Sequence, residues 1–180
     1  TGIYNRRFLL NYFRYKVPWD SLEAQPLSLL MMDLDHFKQI NDTFGHQTGD
    51  QVLVWVASLL KEVSGDEGLA IRYAGDEFII LMPNTEKEAA LQVADRLLQG
   101  LHQEPAQLAE VDEELRITFS IGVASAPDDA YTGKALIQKA DTALYYAKKT
   151  GRDRFANAGK IAPEDVFAKT ALYQLDKARI

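Results

Sequence analysis

Cysteine is absent from this chain of 180 residues. That excludes disulfides, thiolate metal sites and a cysteine nucleophile, and it fits a reducing compartment. No apolar run approaches the roughly 20 residues that span a bilayer, and no stretch has the pattern of a signal peptide. Positive charge is not in excess either: 20 Lys and Arg against 26 Asp and Glu leave a net charge of −6. General nucleic-acid or anionic-membrane binding is therefore disfavoured, and a phosphate ligand would have to be met by metal ions and a few local cations. Internal repeats and low-complexity segments are lacking. What remains is a chain with 47% hydrophobic residues, enough for the core of one domain of ordinary size.

Residues 1–17 read as a first helix with Asn5 as its cap, followed by a loop around Pro18 and Pro26. Leu27 to Asp35 is a near-continuous apolar run ending in Asp-x-Asp, the pattern of a strand covered on both faces. A short helix over 37–44 with Asp35 as N-cap comes next, stopped by Gly45, and then an amphipathic helix from Thr48 or Asp50 to about residue 63. Strands at 69–73 and 78–82 flank Gly75-Asp76, the local signal of a tight hairpin. A helix over 86–102, an acidic irregular stretch over 103–114, and one long strand or two over 115–125 follow. Within that last stretch Gly122 is a candidate for close backbone approach. A helix over 134–150, a closing edge strand at 154–156 and a terminal helix over 163–180 complete the chain. This order predicts an α+β fold, one sheet with helices packed on it.

Asp33 at the exit of a buried strand needs a partner, because an unpaired carboxylate there is costly. If the hairpin tip lies beside it, Asp33, Asp76 and Glu77 can share divalent cations, with the Leu34 carbonyl as a backbone ligand. Oxygen donors and only three histidines favour magnesium or manganese over zinc. Two such ions about 4 Å apart are what in-line phosphoryl transfer uses.

Several plainer readings stand beside this one. Acidic turns are common for local reasons, Asp50 serves equally well as a helix cap, and Asn41-Asp42 as polar residues ending a helix. Lys148 and Arg152 sit where a helix dipole favours cations whatever their function. His46 reads as a structural hydrogen-bonder, Met31-Met32 as core, and Arg72 as a partner of the hairpin acids with no catalytic role.

The run Asp33-Leu34-Asp35-His36-Phe37-Lys38 through Asn41-Asp42, then Gly45-His46, Gly49-Asp50, Arg72-Tyr73-Ala74-Gly75-Asp76-Glu77-Phe78 and Ala147-Lys148-Lys149-Thr150-Gly151-Arg152 resembles the motif set of the GGDEF family of diguanylate cyclases. Thr1-Gly2-Ile3-Tyr4-Asn5-Arg6-Arg7 is similar to the family's opening. The resemblance implies a palm-like, mostly antiparallel sheet flanked by helices, with a ferredoxin-like core of the nucleotide-cyclase type. It implies condensation of two GTP into cyclic di-GMP across a homodimer, with two Mg2+ (or Mn2+) in each half-site. By the same resemblance, Asp33, Asp76 and Glu77 are catalytic and bind metal together with the Leu34 carbonyl, and Asn41 and Asp50 read guanine. His36, Phe37 and Lys38 cradle the terminal phosphates, and Lys148 and Arg152 are further phosphate contacts.

Three positions depart from the family pattern. Ala74 replaces the first signature glycine; if Gly75 and Asp76 are the central turn residues, Ala74 precedes the turn and keeps a negative φ. Gly65-Asp66-Glu67-Gly68 stands where the product-inhibition site has Arg-x-x-Asp, leaving Arg96 as a secondary contact, so feedback is expected to be weak or absent. Asp153 stands where asparagine is usual. The expected organisation is a catalytic domain over 1–158 and a helical tail over 159–180. The domain itself is expected in the cytoplasm without membrane contact, joined to an upstream sensory or dimerising region. Two other readings remain: a catalytically inactive, GTP-binding regulatory domain, and a structural dimerisation module.

Overall fold

Asn5 caps the first helix as anticipated, its side chain accepting a hydrogen bond from Phe8 N at 3.0 Å. The computed structural model describes residues 1–16, 25–65, 68–103, 106, 114–162 and 164–165. In chain order the elements are β1 (Tyr4–Asn5), α1 (Arg6–Tyr15), β2 (Leu27–Leu34), α2 (Phe37–Phe44), α3 (His46–Ser64), β3 (Leu69–Ala74), β4 (Glu77–Pro83), α4 (Lys87–Gln103), β5 (Phe119–Ala126), α5 (Gly133–Lys149) and β6 (Arg154–Asn157). A short 3-10 turn, Ala158–Lys160, follows β6. The loop at 17–24 and nearly all of the expected terminal helix and tail lie outside the described residues.

The strands form a single sheet in the order β1-β3-β4-β2-β5-β6. The three central pairings are antiparallel and the two edge pairings, β1 with β3 and β5 with β6, are parallel. The fold is thus the expected α+β palm. Because side chains alternate along a strand, β2 buries both faces at once. Leu30, Met32 and Leu34 join Phe78, Ile80, Phe119 and Ile121 against α3 and α4. Leu29 and Met31 join Ile79 and Leu81 against α1 and α5, which contribute Leu9, Phe13, Ala140 and Leu144. Each such side chain, fully buried, is worth about 1.5–3 kcal/mol. Phe78 and Phe119 meet edge-on with centroids 6.4 Å apart. Among the described residues no helix is long and apolar enough to cross a membrane.

At Gly122 the α5 backbone lies directly against the sheet: a Cβ there would run into the backbone of Ala140 and Leu144. That contact lays α5 along β5, with its last turn at the end of the sheet where β2 exits.

Three boundaries differ from the sequence reading. The helix expected from Thr48 or Asp50 begins at His46, because Gly45, with φ 86°, both ends α2 and opens α3. Asp50 is therefore inside the helix and is not a cap. Asp35 is not the N-cap of α2 either. His36 holds that position in a left-handed conformation, with φ 60° and no side-chain capping bond, and the Asp35 side chain turns into the sheet instead. The stretch over 115–125 resolves into β5 from Phe119, with Leu115 making only an isolated bridge to Ala106.

Candidate active site

The hairpin tip lies beside the exit of β2, as the carboxylate pattern requires. Asp33 is directly opposite Glu77 on β4 and opposite Ser120 on β5. Opposed residues of antiparallel strands share a face, so Asp33 and Glu77 both point to the side carrying α5. Gly75 (φ 43°) and Asp76 form the turn, and Leu34 N donates to the Asp76 carbonyl at 3.2 Å, closing the tip onto β2. Ala74 pairs with Glu77 and is not among the residues of positive φ, so the alanine fits without backbone strain. Arg72 does not pair with the hairpin acids; its Nε donates to the Gly75 carbonyl at 2.9 Å and braces the turn.

Burial pushes the Asp33 carboxyl above the usual carboxylate range, against the hydrogen bond and charge of Lys148, with Asp76 and Asp35 adding repulsion. Glu77 is raised too, by burial first and then by the charge of Asp33. Lys148, on the last turn of α5, sits with Nζ 2.7 Å from Asp33 Oδ2. Carboxylates held in this way gain from a cation.

Among the described residues no three acidic or histidine side chains converge closely enough to cage a metal by themselves. Magnesium does not need such a cage. It is usually held by one or two carboxylates together with substrate phosphates, and Asp33 and Glu77, opposed on neighbouring strands, with Asp76 in the adjoining turn, are the carboxylates that could do so.

Around this centre the other predicted residues fall into three groups. His36 is the left-handed residue before α2; Gln39 N and Ile40 N both close on its carbonyl at 2.8 and 3.3 Å. The amides of Phe37 and Lys38 come before them, at a helix start of positive partial charge. Asn41 and Asp50 lie on α2 and α3, which pack against each other, and here Gly49 matters. A Cβ at Gly49 would strike the Asn41 side chain and approach the Phe37 ring, so the glycine lets the Asn41 amide lie in the cleft between the two helices. Asp50 is exposed beside it.

The third group was only half legible. Lys148 reaches Asp33, whereas Arg152 has its Nε 4.0 Å from Asp35 Oδ1. Asp35 is buried and accepts from Ser120 Oγ at 2.7 Å, Thr118 Oγ1 at 2.9 Å and Asp153 N at 3.0 Å. Thr118 and Ser120 were not singled out from the sequence; the signal was their spacing of two on a strand next to Asp33 and Asp35. Asp153 directs its carboxylate to His102 Nε2, 2.8 Å from each oxygen.

The chain matches the family model described as "Diguanylate cyclase, GGDEF domain" over residues 1–154. It is 39% identical over 162 residues to the response regulator PleD of Caulobacter vibrioides, covering 90% of this chain and 35% of that protein. Diguanylate cyclase A of Treponema denticola is 38% identical over 146 residues, 81% of this chain and 39% of that one. The chain thus spans well under half the length of these relatives. Among solved structures, the GGDEF domain of DgcB from Caulobacter crescentus, in complex with c-di-GMP, superposes with a TM-score of 0.78 at 31% identity. That match covers 88% of this chain and 90% of that one.

Proposed function

The chain belongs to the diguanylate cyclase GGDEF-domain family, and we propose that it condenses two GTP molecules into cyclic di-GMP, each of two copies of the chain presenting one nucleotide. The 3′-hydroxyl of each GTP gives up its proton to solvent as its oxygen forms a bond to the α-phosphorus of the other. The bond from that phosphorus to the oxygen bridging to the β-phosphate breaks, and pyrophosphate leaves. The observation that carries this reading is the Asp33–Glu77 pair across β2 and β4 at the hairpin, beneath the Lys148 ammonium.

Each residue's part follows from its chemistry. Asp50 accepts from guanine N1–H and the 2-amino group, donors that adenine does not present together, and Asn41 supplies both a donor and an acceptor. The amides opening α2 and the Lys38 ammonium hold the terminal phosphates. Lys148 and Arg152 grip phosphate oxygens from the other side. Asp33, Asp76, Glu77 and the Leu34 carbonyl would hold two Mg2+ or Mn2+ ions. Bound there, the metal neutralises phosphate charge and makes the attacking hydroxyl more acidic.

The departures from the family pattern do not weigh against activity. Ala74 lies outside the turn, and the Asp153 carboxylate is engaged by His102 rather than left beside a phosphate contact. Feedback by product is proposed to be weak. Gly65 and Gly68 replace the ionic residues at the ends of that segment, and any Cβ at Gly68 would run into the Ser64 carbonyl. Arg96 on α4 remains, exposed. An upstream segment that brings two copies together, a separate tail over 159–180 and a cytoplasmic setting belong to the same proposal.

The test is incubation of the purified domain at high concentration with GTP and magnesium. Cyclic di-GMP and pyrophosphate are expected, and Asp76→Asn abolishes both. GTP binding without turnover, even in two covalently linked copies, would make the chain a regulatory GTP-binding domain instead. No GTP binding at all would leave only a dimerisation module.

A further inference from the structure

Asp35 is a carboxylate that the reaction does not use, yet it is among the most completely enclosed polar groups of the chain, with its side chain 1% exposed. Burial on that scale demands donors. It has three: the hydroxyls of Thr118 and Ser120 and the main-chain N–H of Asp153. The last of these reaches across 118 residues of sequence to the turn between α5 and β6.

That turn is strained. Gly151, Arg152 and Asp153 all have positive φ, at 128°, 62° and 46°. A residue with a side chain adopts such angles at a cost of roughly 1–2 kcal/mol, and two in a row persist only where the surroundings hold them. Several bonds do so here: Arg152 N donates to the Ala147 carbonyl at 3.0 Å, Asp153 N donates to Asp35 Oδ2, Arg154 Nε donates to the Arg152 carbonyl at 2.9 Å, and the Asp153 carboxylate meets His102. The first is a helix-end bond that many chains would make. The second ties the turn to the strand that carries Asp33.

We propose that Asp35 is a positioning residue, which fixes the left-handed Arg152–Asp153 turn and thereby aims the Arg152 guanidinium at the nucleotide phosphates. The inference rests on the reading that Arg152 contacts those phosphates. Arg152 is half exposed, 47%, with its Nε 4.0 Å from Asp35 Oδ1. Its side chain, paired with Asp35 on one side, is thus half open to a ligand while its backbone is held. Preorganisation of this kind lowers the ordering cost of a long side chain by about 0.5–1.5 kcal/mol, or roughly two- to tenfold in affinity.

The experiment measures Kd for GTP, supplied as 3′-deoxy-GTP, which lacks the attacking hydroxyl, and for GMP, with magnesium by calorimetry, in the wild-type domain and in Asp35→Ala, Asp153→Pro, Asp153→Gly and Arg152→Ala. Asp153→Pro removes the same N–H and, because the proline ring fixes φ at about −65°, the left-handed turn with it, so it reports the loss of the turn without opening the core if Asp35→Ala does not fold. Asp153→Gly keeps the N–H and accepts positive φ without strain. Asp35→Ala and Asp153→Pro are expected to weaken GTP binding about fivefold and GMP binding much less. Each is expected to add nothing in an Arg152→Ala background, and Asp153→Gly to stay near wild type. Losses that add to that of Arg152→Ala, or that fall equally on GTP and GMP, would overturn the role of Asp35 while leaving the cyclase reading intact. Wild-type protein that binds neither nucleotide would overturn both.

Discussion

The Lys148 ammonium rests 2.7 Å from the Asp33 carboxylate, joining the end of α5 to the exit of β2. The contact depends on Gly122, whose missing side chain brings α5 down onto β5. Of the influences on Asp33, burial and the neighbouring carboxylates raise its pKa, and Lys148 lowers it through both a hydrogen bond and its charge.

Removing that cation therefore has a signed consequence. In Lys148→Met both lowering influences disappear, so the Asp33 pKa moves further up. Less of the carboxylate is ionised at mildly acid pH, and the acid limb of kcat/KM against pH shifts to higher pH. KM for GTP rises by about tenfold or more, the size of a lost charge-assisted hydrogen bond. A pH profile of initial rates checks the first outcome and substrate titration the second. An unmoved acid limb would mean that Lys148 does not act on Asp33 during turnover.

Glu77 carries a pH-dependent stability cost. Its folded-state pKa is raised above 4.5 by burial and by Asp33. The folded protein therefore binds this proton more tightly than the unfolded chain does. The resulting stability is fully present below the unfolded value and is lost as pH rises through the folded value. At neutral pH the ionised carboxylate works against folding. Glu77→Gln is expected to raise Tm at pH 7 by about 2 °C, small because water still reaches the group. The gain should shrink toward zero as pH falls below about 4, while cyclase activity is lost at every pH. Thermal melts at several pH values decide it, and a variant less stable than wild type at pH 7 would contradict the sign.

Gly122→Ala tests the contact between α5 and the sheet. The added methyl meets main-chain atoms of Ala140 and Leu144, and backbone cannot rotate away as a side chain can. A loss of about 3 kcal/mol is expected, at the upper end for overpacking. Activity should fall further than the unfolded fraction explains, because Lys148 is displaced with the helix. Urea denaturation gives the first quantity, and the rate per folded molecule gives the second.

Much of this was legible in the sequence because local signals and burial pointed the same way. The apolar run of β2, the Gly-Asp turn and the close approach at Gly122 each followed from one physical rule, and each stands in the structure. Met31 and Met32 are buried on opposite faces of the sheet, as core residues should be. Asp35 misled because an aspartate just before a helix looks like a cap. Its side chain went to Thr118 and Ser120, more than 80 residues away, and no local pattern records such a partner. The start of α3 was misplaced for a related reason: Thr48 and Asp50 looked like caps, but the left-handed Gly45 had already set the helix boundary. Parallel pairing of the short β1 with β3 was likewise hidden, since two residues carry no periodicity.

At the opposite end of the sheet a second ion pair predicts stability without function. Lys87, the first residue of α4, donates to Asp129 Oδ1 at 2.9 Å and lies 3.3 Å from Asp128. Asp129, its side chain 3% exposed, also accepts from Ser125 N at 2.8 Å. Burial alone would lower the Lys87 pKa, but the hydrogen bonds and charges of the two aspartates outweigh it and raise the value above 10.5. Lys87→Met leaves Asp129 buried without its cation, a loss of about 3 kcal/mol. With the folded pKa raised, that difference from wild type is fully present below the ordinary lysine value and fades as pH climbs through the folded one. Ser28 pairs with Ser125 in the register that pairs Asp33 with Ser120, so roughly 17 Å of strand separates the two ends. The rate per folded molecule should therefore equal that of wild type. Denaturation and kinetics on the same preparation separate the two effects, and a lowered rate in fully folded Lys87→Met would show that the two ends of the sheet are coupled.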